Sequence, residues 1–176
     1  MPESSTTPNA AVVMEETQRL FAAIGKIVVR FQQMELWVSE ALAGALELPT
    51  LENRYVIQAA MGFRQKVDLL MELIGRKEKH GLPCSLAKAR QALSVAEEFR
   101  NGVVHAFWGY EGLGKWSRSK SSLKGKHGYV LRSTEADVSF LEDAADALKT
   151  ITEWEFNDDA SLQKAIDFLG KYHGQA

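Results

Sequence analysis

The stretch FRNGVVH, residues 99–105, contains the side chains of this chain best suited to chemistry, Arg100, Asn101 and His105. Histidine titrates near neutral pH and can act as a general acid or base. The planar guanidinium of arginine matches the charge and shape of a phosphate group. The stretch is either the active end of a helix or a polar patch that contains suitable residue types.

Helix geometry limits how these three side chains can act together. Five residues along a straight helix correspond to about 140° of rotation, so Arg100 and His105 diverge. Asn101 and His105, four residues apart, share a face. Arg100 and His105 can meet on one substrate only if the helix distorts or ends near Gly102, or if they come from two subunits. This geometry favours a symmetric dimer with the site at its interface.

Two series of residues spaced by seven are apolar except at one position each, where Arg100 and Glu35 stand. The series are Leu86, Leu93, Arg100 and Phe107, and Phe21, Val28, Glu35 and Leu42. A charge on a core-facing stripe is costly unless it is paired or lines a cleft. Two interpretations stay open: a structural Arg100–Glu35 ion pair, or a site in which Glu35 orients the arginine.

Composition excludes several classes of function. The chain has 176 residues, 45% apolar and 25% charged, with a net charge of −2, as expected for a soluble globular protein. Cys84 is the single cysteine, and the four histidines lack metal-ligand spacing, so we predict no disulfide, metal or cofactor. No apolar stretch is long enough to span a bilayer, and the N-terminus lacks the features of a signal peptide. We therefore expect a cytoplasmic protein without membrane contact.

Apolar periodicity predicts an all-α fold. We expect a disordered tail over residues 1–12 and one helical domain over residues 13–176, an antiparallel bundle of four main helices with extra short helices. Ser85 is predicted to cap one helix, and Thr134 with Asp137 to form a capping box for another. A polar loop or small β-hairpin is expected at about 109–132, before the last long helix, and a shorter helix at about 160–172 closes the chain.

The segment 109–132 concentrates positive charge. It carries six cations against Glu111, a local net charge of +5 in a chain of net charge −2. Its candidate RNA-binding residues are Lys115, Trp116, Arg118, Lys120, Lys124 and Lys126, with Arg132, His127 and Tyr129 nearby. Such a segment could follow a phosphate backbone and stack a base. The alternative is a solvated insertion whose lysines only maintain solubility.

RNGVVH resembles the Arg-x(4–6)-His motif of HEPN domains, a superfamily of compact helical bundles in which a polar residue usually follows the arginine. The stretches FQQMELWVSEAL, FRQKVDLLMEL and FRNGVVHAFWG, followed by a polar insertion and a final helix, resemble the HEPN layout over most of residues 14–156.

The resemblance implies a metal-independent endoribonuclease. Active members are usually dimers, often toxins or defence effectors, and their two motifs face each other across the interface. Carried over, His105 is the general acid or base, Arg100 stabilises charge on the phosphate, and Asn101 orients these groups or the substrate. The products would be a 2′,3′-cyclic phosphate and a 5′-OH. RNA, a second copy of the chain, and an antitoxin or regulatory protein are the expected partners.

One position departs from the pattern. In HEPN toxins controlled by a nucleotidyltransferase antitoxin, a tyrosine two residues after the histidine is modified, and Phe107 stands there in this chain. We therefore do not expect regulation by nucleotidylation at that residue. Other HEPN members have lost activity, so two alternatives remain: a silent module that binds RNA, nucleotide or a partner protein, and a helical bundle with a buried Arg100–Glu35 pair and no site.

Overall fold

The computed structural model describes residues 10–76, 81–112, 115–122 and 130–174. Within these ranges the chain forms six α-helices and one three-stranded antiparallel sheet, and a short 3₁₀-helix, Trp154–Phe156, precedes the last helix. The predicted mostly helical class is confirmed. The elements are α1 Ala10–Ala45, α2 Leu51–Ala60, α3 Phe63–Gly75, α4 Leu86–Val104, β1 Phe107–Gly112, β2 Lys115–Ser122, β3 Val130–Ala136, α5 Val138–Thr152 and α6 Asp159–Gly174.

Helix α1 packs against α3, α4 and α5 through one continuous apolar stripe. The helix begins at Ala10 and therefore includes three residues that we expected in the tail. It ends four residues before Pro49, which cannot continue a helix. Its buried face follows the 3.6-residue repeat and consists of Leu20, Ala23, Ile27, Phe31, Met34, Val38 and Leu42, with Ser39 and Ala43 beside them.

Helices α4 and α6 lie side by side and run in the same direction. At their beginnings, Ser85 caps α4 as predicted and also donates its backbone N–H to the Asp159 carboxylate at 2.7 Å. At their ends, the Tyr172 hydroxyl donates to the Gly102 carbonyl oxygen at 3.2 Å. The last turn of α4, which contains Asn101, is thus fixed from the end of the last helix.

The predicted loop or hairpin is a sheet with strand order β1-β2-β3. It is wider than the predicted insertion, because β1 begins at Phe107 and β3 ends at Ala136. Phe107 was expected in the helix but pairs with Ser119 in the sheet. Trp116 explains the extra order, since its side chain is buried and packs against Tyr110, with the ring centroids 5.3 Å apart.

Two predictions about the C-terminal helices need correction. Thr134 lies in β3, and Asp137 alone caps α5, its carboxylate accepting backbone N–H groups from Ser139 and Phe140. Helix α6, expected to be the shorter one, has 16 residues against 15 in α5. In the described part of the chain, no helix combines the length and the hydropathy needed to cross a bilayer.

Candidate functional site

Arg100 lies on an aromatic surface at the edge of the core. Its guanidinium carbon is 4.2 Å from the centroid of the Phe31 ring, a cation–π arrangement. Nη1 donates to the Asn101 side-chain oxygen at 2.8 Å. The remaining N–H groups, on Nε and Nη2, make no hydrogen bond with any other described residue. The guanidinium is therefore fixed by its face and one nitrogen, and keeps free donors.

His105 is exposed and forms the C-cap of α4. Its backbone N–H donates to the Asn101 carbonyl oxygen at 3.1 Å, which keeps His105 on the course of the helix. Gly102 lies inside the helix, so the helix does not bend there to bring His105 towards Arg100. On regular helix geometry, five residues place Arg100 and His105 about 140° apart around the axis. One copy alone therefore carries two separated halves of the predicted motif.

Exposed apolar side chains flank His105. Val104 precedes it, and Phe107, two residues later, is 69% exposed. Trp108 turns the chain out of the helix, and its indole N–H donates to the Val103 carbonyl oxygen at 3.1 Å. The end of α4 thus presents an imidazole between two apolar groups that the described residues leave uncovered.

Glu35 pairs with Lys66 of α3, with 3.2 Å between Oε1 and Nζ. Both open interpretations need correction: Glu35 neither forms an ion pair with Arg100 nor holds its guanidinium, because the Glu35 carboxylate bonds to Lys66 and Arg100 bonds to Asn101. The predicted stripe is also wrong at Phe21, which is exposed. A strict seven-residue series drifts around a helix with 3.6 residues per turn. It reaches Glu35 at the edge of the buried face, where a charged group keeps contact with water.

Lys66 is the site residue that the sequence analysis missed. Its side chain is only 2% exposed, and it follows Phe63 by three residues, on the same face of α3. The rings of Phe63 and Phe31 lie 4.9 Å apart. A signal was present in the sequence, because this lysine stands between Phe63 and Val67, two apolar residues spaced by four. We refer to Phe31, Glu35, Lys66, Arg100 and Asn101 as the Arg100 cluster.

The two cations of the sheet whose side chains the structure describes, Arg118 and Lys115, have partners within the fold. The Arg118 guanidinium stacks over the Tyr172 ring at 3.5 Å and donates to the Tyr172 carbonyl oxygen. Lys115 pairs with Glu135 at 3.3 Å. Trp116, 7% exposed, is too buried to stack a base, which corrects its predicted role. Lys124, Lys126 and the side chain of Lys120 lie outside the described residues.

Other reactive groups do not form a second centre in the described ranges. No three His, Cys, Asp or Glu residues among them are arranged to hold a metal ion. The Cys84 thiol is buried, and its hydrogen bond goes to the Trp154 carbonyl oxygen. Burial, followed by the nearby Asp159 carboxylate, raises the pKa of this thiol. A raised pKa disfavours the thiolate that a cysteine nucleophile requires.

No family model, curated protein or solved structure matches this chain. The geometry of the Arg100 cluster and of His105 is therefore the basis for a function.

Proposed function

We propose that this protein is a metal-independent endoribonuclease of the HEPN type, with a composite site between two copies of the chain. One observation carries the proposal. Arg100 lies on Phe31 with free N–H donors, while His105, on the same helix, is exposed and by helix geometry stands about 140° from Arg100 around the axis. A group that binds phosphate and a group that transfers protons are both present, and a two-fold axis would bring them together.

The surroundings of His105 support a dimer. Exposed Val104 and Phe107 give the end of α4 an apolar surface beside a titratable group. Burial of such side chains against a second copy is favourable, by about 25 cal/mol for each Å² of apolar surface removed from water. We propose that Arg100 of one copy and His105 of the other face the same phosphodiester.

The reaction needs no group beyond these side chains. The ribose 2′-oxygen attacks the adjacent phosphorus while His105 takes the proton of the 2′-hydroxyl, and the imidazolium so formed supplies that proton to the departing 5′-oxygen. Arg100 stabilises the charge that develops on the phosphoryl oxygens. The hydrogen bond from Arg100 to the Asn101 side chain holds the guanidinium in its orientation over Phe31. The bond to the 5′-oxygen breaks, which leaves a 2′,3′-cyclic phosphate and a 5′-OH.

The test is RNA cleavage by purified protein in the presence of a chelator. Wild type, His105→Ala and Arg100→Ala are compared with Arg90→Ala, which removes another arginine of α4 that pairs with Asp68. We expect cleavage by wild type and Arg90→Ala, with cyclic-phosphate ends, and none by the other two. Equal cleavage by wild type and His105→Ala, or none by any protein at high concentration, contradicts the proposal.

A second candidate is a catalytically silent HEPN-like module that binds RNA, nucleotide or a partner protein. A separate apolar surface favours protein binding. Leu36 and Trp37 of α1 are exposed, Phe156 is 76% exposed, and together they line a groove of about 390 Å³ between α1 and the end of α5. Contiguous exposed apolar patches often mark interaction sites. An antitoxin or regulatory protein is the corresponding partner.

Growth of cells that express the protein separates the two candidates. Toxicity that disappears with Arg100→Ala and with His105→Ala, both folded by circular dichroism, supports a nuclease that acts as a toxin or defence effector. Toxicity that both variants retain favours the binding module.

We also propose that α1, α3, α4 and α5 are the four main helices of a HEPN-type bundle, supported by the packing of α1 against the other three. We propose, in addition, that the protein acts in the cytoplasm.

A further inference from the structure

Glu35 and Arg100 are neighbours that do not pair. Glu35 follows Phe31 by one turn of α1, and Arg100 lies on the Phe31 ring. One turn corresponds to about 5–6 Å along the helix. The Glu35 carboxylate nevertheless bonds to Lys66 on α3. Among the described residues this is the one hydrogen bond of the carboxylate, and Arg100 retains free N–H donors.

The burial of the two partners explains this choice. Lys66 is 2% exposed, and a buried ammonium requires an anion beside it. Glu35 is 36% exposed and stands one helical turn from Phe31, the residue on whose ring Arg100 lies. Glu35 is the one ion-pair partner of Lys66 among the described residues.

We propose that Lys66 is a positioning residue for phosphate binding: it holds Glu35 away from Arg100, so that the guanidinium stays open to a phosphate of RNA. A carboxylate and a phosphodiester compete for the same N–H donors. Without Lys66, the Glu35 carboxylate pairs with Arg100 and blocks it. This inference rests on the proposed function, because it concerns the phosphate group that Arg100 receives there.

The test measures binding rather than cleavage. The probe is a fluorescent single-stranded RNA with 2′-O-methyl groups, which lacks the attacking hydroxyl and cannot be cleaved by the proposed reaction. Wild type, Lys66→Met and the double variant Lys66→Met with Glu35→Gln are titrated in a chelator. Lys164→Met, which removes an exposed lysine of α6, is the matched control. Thermal melting establishes that each variant is folded.

We expect Lys66→Met to bind about tenfold more weakly, the size of one lost charge-assisted hydrogen bond. Glu35→Gln in the same protein restores binding, because the amide does not compete for Arg100. Lys164→Met binds like wild type. If Lys66→Met does not fold, Glu35→Gln alone decides: unchanged or tighter binding supports the proposal, and weaker binding overturns it. With cleavable RNA, Lys66→Met raises KM and leaves kcat unchanged.

The outcomes separate this inference from the nuclease proposal. Wild-type affinity in Lys66→Met, no recovery in the double variant, or no probe binding by wild type overturns the role of Lys66. His105-dependent cleavage can persist in the first two of these cases, and the nuclease proposal then survives. If wild type cleaves no RNA but the binding pattern is as expected, the nuclease proposal fails and the role of Lys66 stands.

Discussion

The Arg100 cluster and the sheet each hold an arginine on an aromatic ring, but the hydrogen bonds of the two arginines go to different kinds of partner. In the cluster, Arg100 lies on Phe31 with part of its guanidinium free. In the sheet, the Arg118 guanidinium also stacks on a ring, that of Tyr172, but its hydrogen bond goes to the Tyr172 carbonyl oxygen and so joins β2 to α6. The sheet sequence carries more positive charge, yet its described cations stabilise the fold. The difference teaches that local net charge does not show what a cation does: the hydrogen bond of Arg100 goes to the next residue of its own helix, whereas that of Arg118 joins two elements of the fold.

The largest expected effect is at His105. We expect His105→Ala to lower the rate of RNA cleavage by about 10²–10⁴, the usual contribution of a general acid or base. Because the imidazole is exposed, the free energy of unfolding should stay within about 0.5 kcal/mol of wild type. Single-turnover cleavage and urea unfolding measure the two quantities. A similar loss of activity in Arg118→Ala at full stability would erase the distinction between the two regions.

Two tryptophans, one in the sheet and one in α1, differ in burial. Trp116 is buried against Tyr110, whereas Trp37 of α1 is more than half exposed. Replacement of Trp116 by alanine should destabilise the protein by about 3 kcal/mol, since it leaves a cavity beneath the sheet. Replacement of Trp37 should change stability by less than about 0.5 kcal/mol. Chemical denaturation of both variants is the measurement, and equal losses would contradict the burial that separates them.

Replacement of Arg118 should affect the stability of the fold more than the binding of RNA. Arg118→Ala removes the stacking on Tyr172 and the bond to its carbonyl oxygen, at a cost of about 2 kcal/mol in the free energy of unfolding. Arg118→Lys keeps the charge but lacks the planar guanidinium, so it should recover only part of this loss. If Arg118→Ala keeps wild-type stability and weakens RNA binding, the residue belongs to the RNA surface after all.

The smallest effect is at Asp137, where the chain leaves the sheet and enters α5. The Ser139 hydroxyl, with the Phe140 and Ser139 N–H groups, lowers the pKa of this carboxyl below its usual 3.8. The folded state thus favours the ionised form, and the stabilisation is present above about pH 4 and lost as the pH falls through the lowered pKa. Asp137→Ala should cost about 1 kcal/mol at neutral pH.

Acid titration of stability checks the sign of this effect. The difference in unfolding free energy between wild type and Asp137→Ala should shrink as the solution is acidified. Asp137→Asn retains a capping oxygen but has no titrating group at this position. Its unfolding free energy should therefore change less with pH than that of wild type. A difference that grows in acid would contradict the assigned shift.

Part of this arrangement could be predicted from the sequence. Periodicity and the Ser85 cap place α1 and α4, and with them Arg100 and His105, because helices depend mainly on local pattern. The sheet could not be placed as well. Its Gly-, Ser- and Lys-rich strands gain order from the burial of Trp116 and the stacking of Arg118 on Tyr172, both of which are tertiary contacts.

The ion pairing in the Arg100 cluster also could not be predicted from the sequence. Glu35 and Arg100 stand out on seven-residue series, which suggests a pair between them. The choice of Lys66 instead depends on how far each side chain is buried and on the approach of α3 to α1 at Phe31 and Phe63. Neither quantity can be read from spacing along one helix.

Tyr172 links the last turn of α6 to the proposed active site. The same residue receives Arg118 from the sheet and bonds to Gly102, three residues before His105. An affinity tag or a partner that unwinds the last turn of α6 would release β2 and the end of α4 together. The position of a tag is therefore an experimental variable: protein tagged at the N-terminus should retain an ordered His105, and a strained C-terminal fusion should lose it.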